Sequence, residues 1–471
     1  MKKILSGIVI IGGIALALPY YGGYKAEKTL RQIAESNSTP EYELTWESYE
    51  RGWFKSEAKL NLHYNERELF DESLDIPVNV TLKHGPLLFS KIASIGWVQY
   101  EANIDENILP AELNEVIQRE DEQDLFEGHG YMNLGGDLIF EETVAAFSIE
   151  SDEISLNVKG ATASGTLASN QKLDLTIVIA PIALDAVAES NENITITTDT
   201  ITVLMLADYS KVIAKGLLPY QSIIEVKDIS VESEEISLKL EGFRSDSEVF
   251  FTESNTLLQI NSANTVKKLR YQGGEELSDI TLNFSYDNIP VALYSAYIDA
   301  FTTDAPVDPD KILNEDIIEA AFTHKAGFSI SEASVKYDGA PVSLNLKTYL
   351  KKSDNFSAAA LLQAPPLLIS SIVLNAEMNA DKSVAQKLLR KQMETAIAAQ
   401  LALNGTDTTI SDAELDVILD QTVQQTLQSS LALGYFTEAA DGYKATVSFE
   451  DGVFKLNDNE LPIDALMQAI Q

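Results

Sequence analysis

Histidine is the side chain whose ordinary pKa lets it exchange protons near neutral pH, and this chain has four: His63, His84, His129 and His324. None stands at helical or hairpin spacing from another, so they form no readable metal site. His84 follows Val80 and Leu82 in phase and precedes Gly85-Pro86. It fits two roles, a general base at a strand end or a ring hydrogen-bonded at a turn, and the second is the expectation. His129 lies between Gly128 and Gly130, after the acidic run from Glu120 to Asp124, and reads as a loop residue. The chain contains no G-x-S-x-G, no H-E-x-x-H, no Walker loop and no G-x-G-x-x-G opening a helix. Cysteine is absent, which excludes disulfides, thiolate metal sites and thiol nucleophiles. With 72 acidic residues, neighbouring carboxylates arise by chance and do not mark a glycosidase pair. EF-hand spacing is missing as well. The sequence therefore predicts no catalytic residue, no metal ligand and no cofactor.

The densest unusual stretch is Tyr49-Glu50-Arg51-Gly52-Trp53-Phe54-Lys55-Ser56. A glycine between a cation and two large rings predicts a structural corner. Gly52 permits the bend, and Trp53 or Phe54 fills the core. A ligand-binding role for the two rings is the alternative.

These residues need elements to hold them. Ala58, Leu60, Leu62 and Tyr64 alternate with Glu57, Lys59, Asn61 and His63, the period of a half-buried strand. The same alternation recurs at Val78, Val80 and Leu82, at Ile280, Leu282, Phe284 and Tyr286, and at Leu344 and Leu346. It returns at Tyr443, Ala445, Val447 and Phe449, before an Asp451-Gly452 hairpin turn. Residues 381–403 and 411–433 read as two helices forming a hairpin. Val384, Leu388 and Met393 line one, and Leu415, Ile418, Leu419 and Thr422 the other. Ser411 with Glu414 caps the second helix, which ends at Gly434.

The octapeptide from Ile149 to Leu156 recurs from Val231 to Leu238, and each copy runs on to a glycine in the same register, Gly160 and Gly242. A looser strand-into-helix unit is read at 173–190, 280–301 and 372–393. The expected fold class is α+β: an N-terminal transmembrane helix, then a mostly antiparallel sheet-rich body with repeated strand-helix units and a C-terminal helical hairpin. The expected segments are an anchor or signal peptide at 1–24, a β-rich body at 25–380, and the helical hairpin with a closing β-hairpin at 381–471.

The anchor is read from Met1-Lys2-Lys3 followed by an uncharged stretch from Ile4 to Tyr24. Its strictly apolar part ends at Leu18. Tyr20, Tyr21 and Tyr24 fall where an interfacial aromatic belt would lie. A cleaved signal ending at Ala15-Leu16-Ala17 is the competing assignment. The formal charge of −38 repels phosphate backbones and excludes nucleic acid as a natural partner. The chain is thus expected to be an acidic, non-catalytic periplasmic protein held in the inner membrane by a single pass. Its expected role is envelope scaffolding or the handling of a lipid or other apolar ligand. The alternative is an assembly partner that binds another envelope protein through the helical hairpin at 381–433.

Taken in order, a basic head, one hydrophobic segment, Tyr49-x-Arg51-Gly52-Trp53-Phe54-x-Ser56 and a strand leading to His84-Gly85-Pro86 resemble the bacterial envelope protein family of unknown function that includes YdgA and YihF. Gly434-Tyr435, Tyr443, Asp451-Gly452, Asn459 and Pro462 match its C-terminal pattern. The family usually has Asn-Gly in its last turn, where this chain has Asp458-Asn459-Glu460. The resemblance implies an inner-membrane or periplasmic protein and assigns no catalytic residue.

Overall fold

The computed structural model describes residue 27 and residues 42–64, 74–88, 93, 95–104, 117–119, 124–151, 154–187, 193–211, 217–234, 236–252, 256–271, 276–301, 314–352, 356–363, 370–404 and 412–461. The chain divides into two units, Met1–Lys239 with Thr302–Asp304, and Leu240–Phe301 with Ala305–Gln471.

The first unit is built from β1 (Tyr42–Arg51), β2 (Lys55–Tyr64), β3 (Leu74–His84), β4 (Val98–Ile104), β5 (Ile117–Arg119), β6 (Phe126–Met132), β7 (Leu138–Val144), β8 (Phe147–Glu150), β9 (Ile154–Val158), β10 (Ala161–Leu167), β11 (Lys172–Ile179), β12 (Ile182–Val187), β13 (Asn193–Thr198), β14 (Ile201–Asp208) and β15 (Tyr220–Glu232). Antiparallel pairing runs in the spatial order β1-β2-β3-β4-β6-β7-β10-β11-β14-β15. A second ladder continues β15-β13-β12-β9-β8-β5.

The two ladders share long strands that are each interrupted once. The interruptions fall at Ala145-Ala146, Lys159-Gly160, Ala180-Pro181 and Asp199-Thr200. Backbone bonds align them across the sheet: Ala180 N–H donates to Gly160 O at 2.9 Å, and Asp199 N–H to Asp228 O at 2.8 Å. Gly160 sits there at φ +102°, and a Cβ on it would stand 2.9 Å from Val144 O. The crease therefore needs glycine at that crossing.

The sequence repeat is a repeated turn. Ser151 N–H donates to Ile154 O at 2.8 Å, and Ser233 N–H to Ile236 O at 2.7 Å. In each copy the serine hydroxyl also accepts from the isoleucine amide. Gly160 and Gly242 both have positive φ.

The second unit contains most of β16 (Ser237–Thr252), then β17 (Leu257–Tyr271), β18 (Glu276–Pro290), α1 (Val291–Phe301), α2 (Glu315–Thr323), β19 (Gly327–Tyr337), β20 (Ala340–Leu350), α3 (Ala358–Gln363), β21 (Ile372–Asp381), α4 (Lys382–Asn404), α5 (Asp412–Ala432), β22 (Thr437–Ala439), β23 (Gly442–Glu450), β24 (Val453–Leu456) and β25 (Asn459–Leu461). Its strands pair as an antiparallel ladder, β17-β18-β19-β20-β21-β23-β24-β25. Helix α4 lies on β20, β21 and β23, and α5 packs on α4.

Leu419, Val423 and Leu427 form the buried stripe of α5 at four-residue spacing. The helical hairpin is thus present, but Leu388 and Ile418, expected inside, are exposed. Gly434 closes α5 at φ +74°, with Gly434 N–H on Leu431 O and Tyr435 N–H on Ser430 O, both at 3.0 Å. That is a Schellman cap. Ser411 lies outside the described residues. Asp451-Gly452 makes the expected turn with both residues at positive φ, and Asn457-Asp458 repeats it between β24 and β25.

Two expectations of fold are corrected. The structure is mostly antiparallel sheet, not α+β, and 173–190 holds no strand-helix unit. There β11 is followed by β12, which β9 and β13 clamp on both edges. Two other units are as expected: β18 runs into α1 and β21 into α4. Second, no helix among the described residues is long and apolar enough to cross a membrane. The two long helices carry charged residues, among them Lys382, Lys387, Arg390 and Lys391 on α4 and Asp416 and Asp420 on α5. Residues 1–24, with Tyr20, Tyr21 and Tyr24, lie outside the described residues. The expected single-pass anchor and inner-membrane localisation thus find no spanning helix among the described residues and are not carried further.

Candidate functional site

Residues directly opposite in an antiparallel ladder point to the same face, so register alone shows what each face of the first unit carries. One row crosses ten strands from β1 to β15: Tyr49, Ala58, Val80, Ala102, Gly128, Glu142, Ala163, Ile177, Val203, Ile224. The next row on this face is Arg51, Ser56, Leu82, Tyr100, Gly130, Phe140, Gly165, Leu175, Met205, Ser222. A third begins at His84 and continues through Val98, Met132, Leu138, Leu167, Leu173 and Ala207. The opposite face is polar over most of the same span: Glu57, Thr81, Glu101, His129, Glu141, Ser164 and Thr176.

The apolar face is continuous over nine strand-to-strand steps, about 43 Å at the usual sheet spacing. Its glycines carry neighbouring rings. A Cβ on Gly130 would stand 2.6 Å from the Tyr100 ring, and one on Gly165 would stand 2.9 Å from the Phe140 ring. Ala58, Leu60, Val80 and Leu82 are buried at one end by Trp46, Tyr49, Val78, Val98, Tyr100 and Ala102. At the β1 end of this face the helical Glu27 pairs with Arg51.

The motif residues gather at that end. Arg51 pairs with Ser56 in the ladder, and Ser56 Oγ lies 2.7 Å from His84 Nε2. Ser56 also bonds the Tyr49 hydroxyl, whose pKa burial raises. Arg51 forms an ion pair with Glu27. Ser56 and His84 are 1% and 2% exposed, and His84 Nδ1 has no hydrogen-bond partner. Burial, with a further push from the Arg51 guanidinium, lowers the His84 pKa from 6.5 to about 4. The ring is neutral at pH 7. A serine hydroxyl against an imidazole is the geometry of an activated nucleophile. Here no carboxylate orients Nδ1, and the hydroxyl is sealed from solvent.

His84 N–H donates to Phe54 O at 2.8 Å, and Gly85 N–H to Trp97 O at 2.7 Å. Gly85 precedes a cis peptide to Pro86. A Cβ on Gly85 would stand 1.5 Å from Gly96 O, and one on Gly52 would stand 2.1 Å from Lys55 O. Both positions exclude any side chain. Trp53 or Phe54 was expected to fill the core, and neither does: Trp53 is 50% exposed and Phe54 56%. They sit in the two-strand connection, past the last covered row. Leu87, Ile95 and Leu134 are similarly exposed. Trp97 ties these loops together, its backbone N–H on Met132 O at 2.8 Å and its Nε1 on Leu134 O at 3.1 Å.

His129 is not in a loop. It lies in β6 on the polar face, between Glu101 and Glu141, so His84 and His129 face opposite sides of the sheet. Tyr100 and Glu142 escaped the sequence reading. Glu142 is the carboxylate in the apolar rows, and it accepts a 3.5 Å hydrogen bond from the Tyr100 hydroxyl. Burial raises the pKa of both. The alternation Gly128, Gly130 against Phe140, Glu142 was the available signal. No group of three or more potential metal ligands occurs among the described residues.

Fold and face together define an antiparallel sheet protein with a long one-sided apolar surface and a sealed polar cluster at one end. The chain belongs to a bacterial protein family of unknown function, DUF945, whose model matches residues 1–464. No curated protein and no solved structure matches it.

Proposed function

We propose that this is a non-catalytic binding protein that holds a long apolar chain, the acyl chain of a lipid, along the apolar face of its first unit. The observation that carries this is the register: three adjacent rows, mostly of apolar and small residues, cross the ladder while the reverse face is polar from β2 to β11. Large continuous apolar surfaces on monomeric proteins mark interaction sites. The length also fits. One acyl chain spans half of a hydrocarbon core of roughly 30 Å, so a face of about 43 Å takes a chain at full extension. The rings of Tyr100 and Phe140 lie over Gly130 and Gly165 and add to the apolar area of the rows. The exposed Trp53, Phe54, Leu87, Ile95 and Leu134 form an apolar rim where a chain enters. The sealed Ser56–His84 pair supports a structural role for the only serine–histidine contact of this motif. Titration of the purified protein with a fluorescent long-chain fatty acyl probe tests the proposal. Saturable binding with a raised Tm is expected; no binding up to the probe's solubility limit contradicts it.

A second role is favoured by one observation. Leu388 on α4 and Val417 and Ile418 on α5 are exposed, which suits the helical hairpin to a protein partner. Photo-crosslinkers at these positions, in the native cells, separate the two roles: a partner adduct there supports assembly, and its absence leaves the hairpin to intramolecular packing.

A further inference from the structure

We propose that Glu142, with Tyr100, is the polar anchor of the apolar face and selects a single-chain amphiphile that carries an amine. The inference rests on the apolar-face proposal and names its ligand class. Glu142 is flanked in its row by Gly128 and Ala163, and in the adjacent row Phe140 and the glycines Gly130 and Gly165 surround it. The rings of Phe126, Tyr100 and Phe140 lie over Gly128, Gly130 and Gly165, so the carboxyl group is half-buried among apolar groups. A carboxylate has about four lone-pair sites, and this one receives a single long hydrogen bond, 3.5 Å from the Tyr100 hydroxyl. A charge among apolar side chains is costly until a cation or donor meets it. An ammonium group at the head of an alkyl chain supplies both charge and donors, while its chain follows the row of Leu175 and Met205. Tyr100 then serves as acceptor or donor to the same head group. The field of the whole chain agrees: a formal charge of −38 concentrates cations and repels the carboxylate of a fatty acid.

Calorimetric titration of the full chain with hexadecylamine and with hexadecanoic acid, below their micelle concentrations, tests this. Glu142→Gln removes the charge at constant volume. Glu141→Gln removes the neighbouring charge on the opposite face, where Glu141 is exposed and sits between His129 and Ser164. The expected result is tighter binding of the amine than of the acid. Glu142→Gln should weaken the amine at least tenfold, Glu142→Asp should restore part of the loss, and Glu141→Gln should leave it within twofold. Equal losses in the Gln variants would show general attraction to an acidic protein and overturn the anchor. So would tighter binding of the acid. If both chains bind to wild type and Glu142→Gln alike, the face stands and the anchor falls. If neither binds to any variant, the apolar-face proposal falls and takes the anchor with it.

Discussion

Ser56 Oγ and His84 Nε2 meet at 2.7 Å inside the sheet, and His84 Nδ1, on the far side of the same ring, meets nothing. The pair couples β2 to the end of β3, the strand end from which Gly85-Pro86 leaves. Its burial gives it a pH signature. The folded-state pKa of His84 is about 4, against 6.5 ordinarily. The unfolded chain therefore binds the extra proton between those values, and stability rises with pH there. The contribution is complete above pH 6.5 and lost as pH falls to 4, about 3 kcal/mol across the window. Urea unfolding of wild type and His84→Gln should show their stability gap narrowing by that amount from pH 7 to pH 4. A gap independent of pH would mean that the ring titrates normally.

Gly85 and Gly52 should not tolerate alanine. The added methyl would stand 1.5 Å from Gly96 O in one case and 2.1 Å from Lys55 O in the other. Both obstacles are backbone and cannot swing away. Each substitution should cost about 3 kcal/mol or more, the upper range for overpacking. Thermal melts within about 2 °C of wild type would contradict the close approach, since about 1 kcal/mol moves Tm by some 2–4 °C in a unit of this size.

Trp53→Ala and Phe54→Ala should be mild in the same assay. Half-exposed rings lack the packing whose loss costs about 3–5 kcal/mol, so each change is expected to cost about 1 kcal/mol or less. If these rings form the entry rim, stopped-flow uptake of an acyl probe should slow in the double variant while Tm holds. A Tm fall of more than about 8 °C in either single variant would return them to the core.

Two neighbours on α5 give the sharpest contrast in the second unit. Leu419 is 1% exposed and Ile418 45%. Leu419→Ala should cost about 2–5 kcal/mol, and Ile418→Ala roughly 0.5 kcal/mol. Comparable losses would mean that α5 turns a different side to α4.

Much of the sheet was legible because period-two alternation states which residues share a face. Ala58, Leu60, Val80 and Leu82 were placed correctly on that basis, and the repeated octapeptide marked a repeated turn. The motif at residues 49–56 was legible as unusual, and the structure does bring Tyr49, Arg51, Ser56 and His84 together. The depth of the rings was not. Trp53 and Phe54 look like core residues by type, but their placement depends on where β1 ends relative to the covered rows, which is a matter of register. The helix expected after Ala180 failed for a similar reason. Ile182, Leu184 and Ala186 alternate with period two, and the neighbouring β9 and β13 hold them as a strand. Glu142 was hidden among other acids because only the pairing of β7 with β6 and β10 shows that it faces the apolar side.

The central claim is that an apolar chain lies on the first unit's apolar face. Photo-crosslinking the purified protein with a diazirine-bearing alkyl chain, then mapping the modified peptides by mass spectrometry, tests it most directly. Adducts should fall on β4, β7, β10, β11 and β14, at residues such as Tyr100, Phe140, Leu175 and Met205, and competition by the unmodified chain should remove them. Adducts confined to Leu388, Val417 and Ile418 on the helical hairpin, or to the polar row through Glu101 and Glu141, would contradict it.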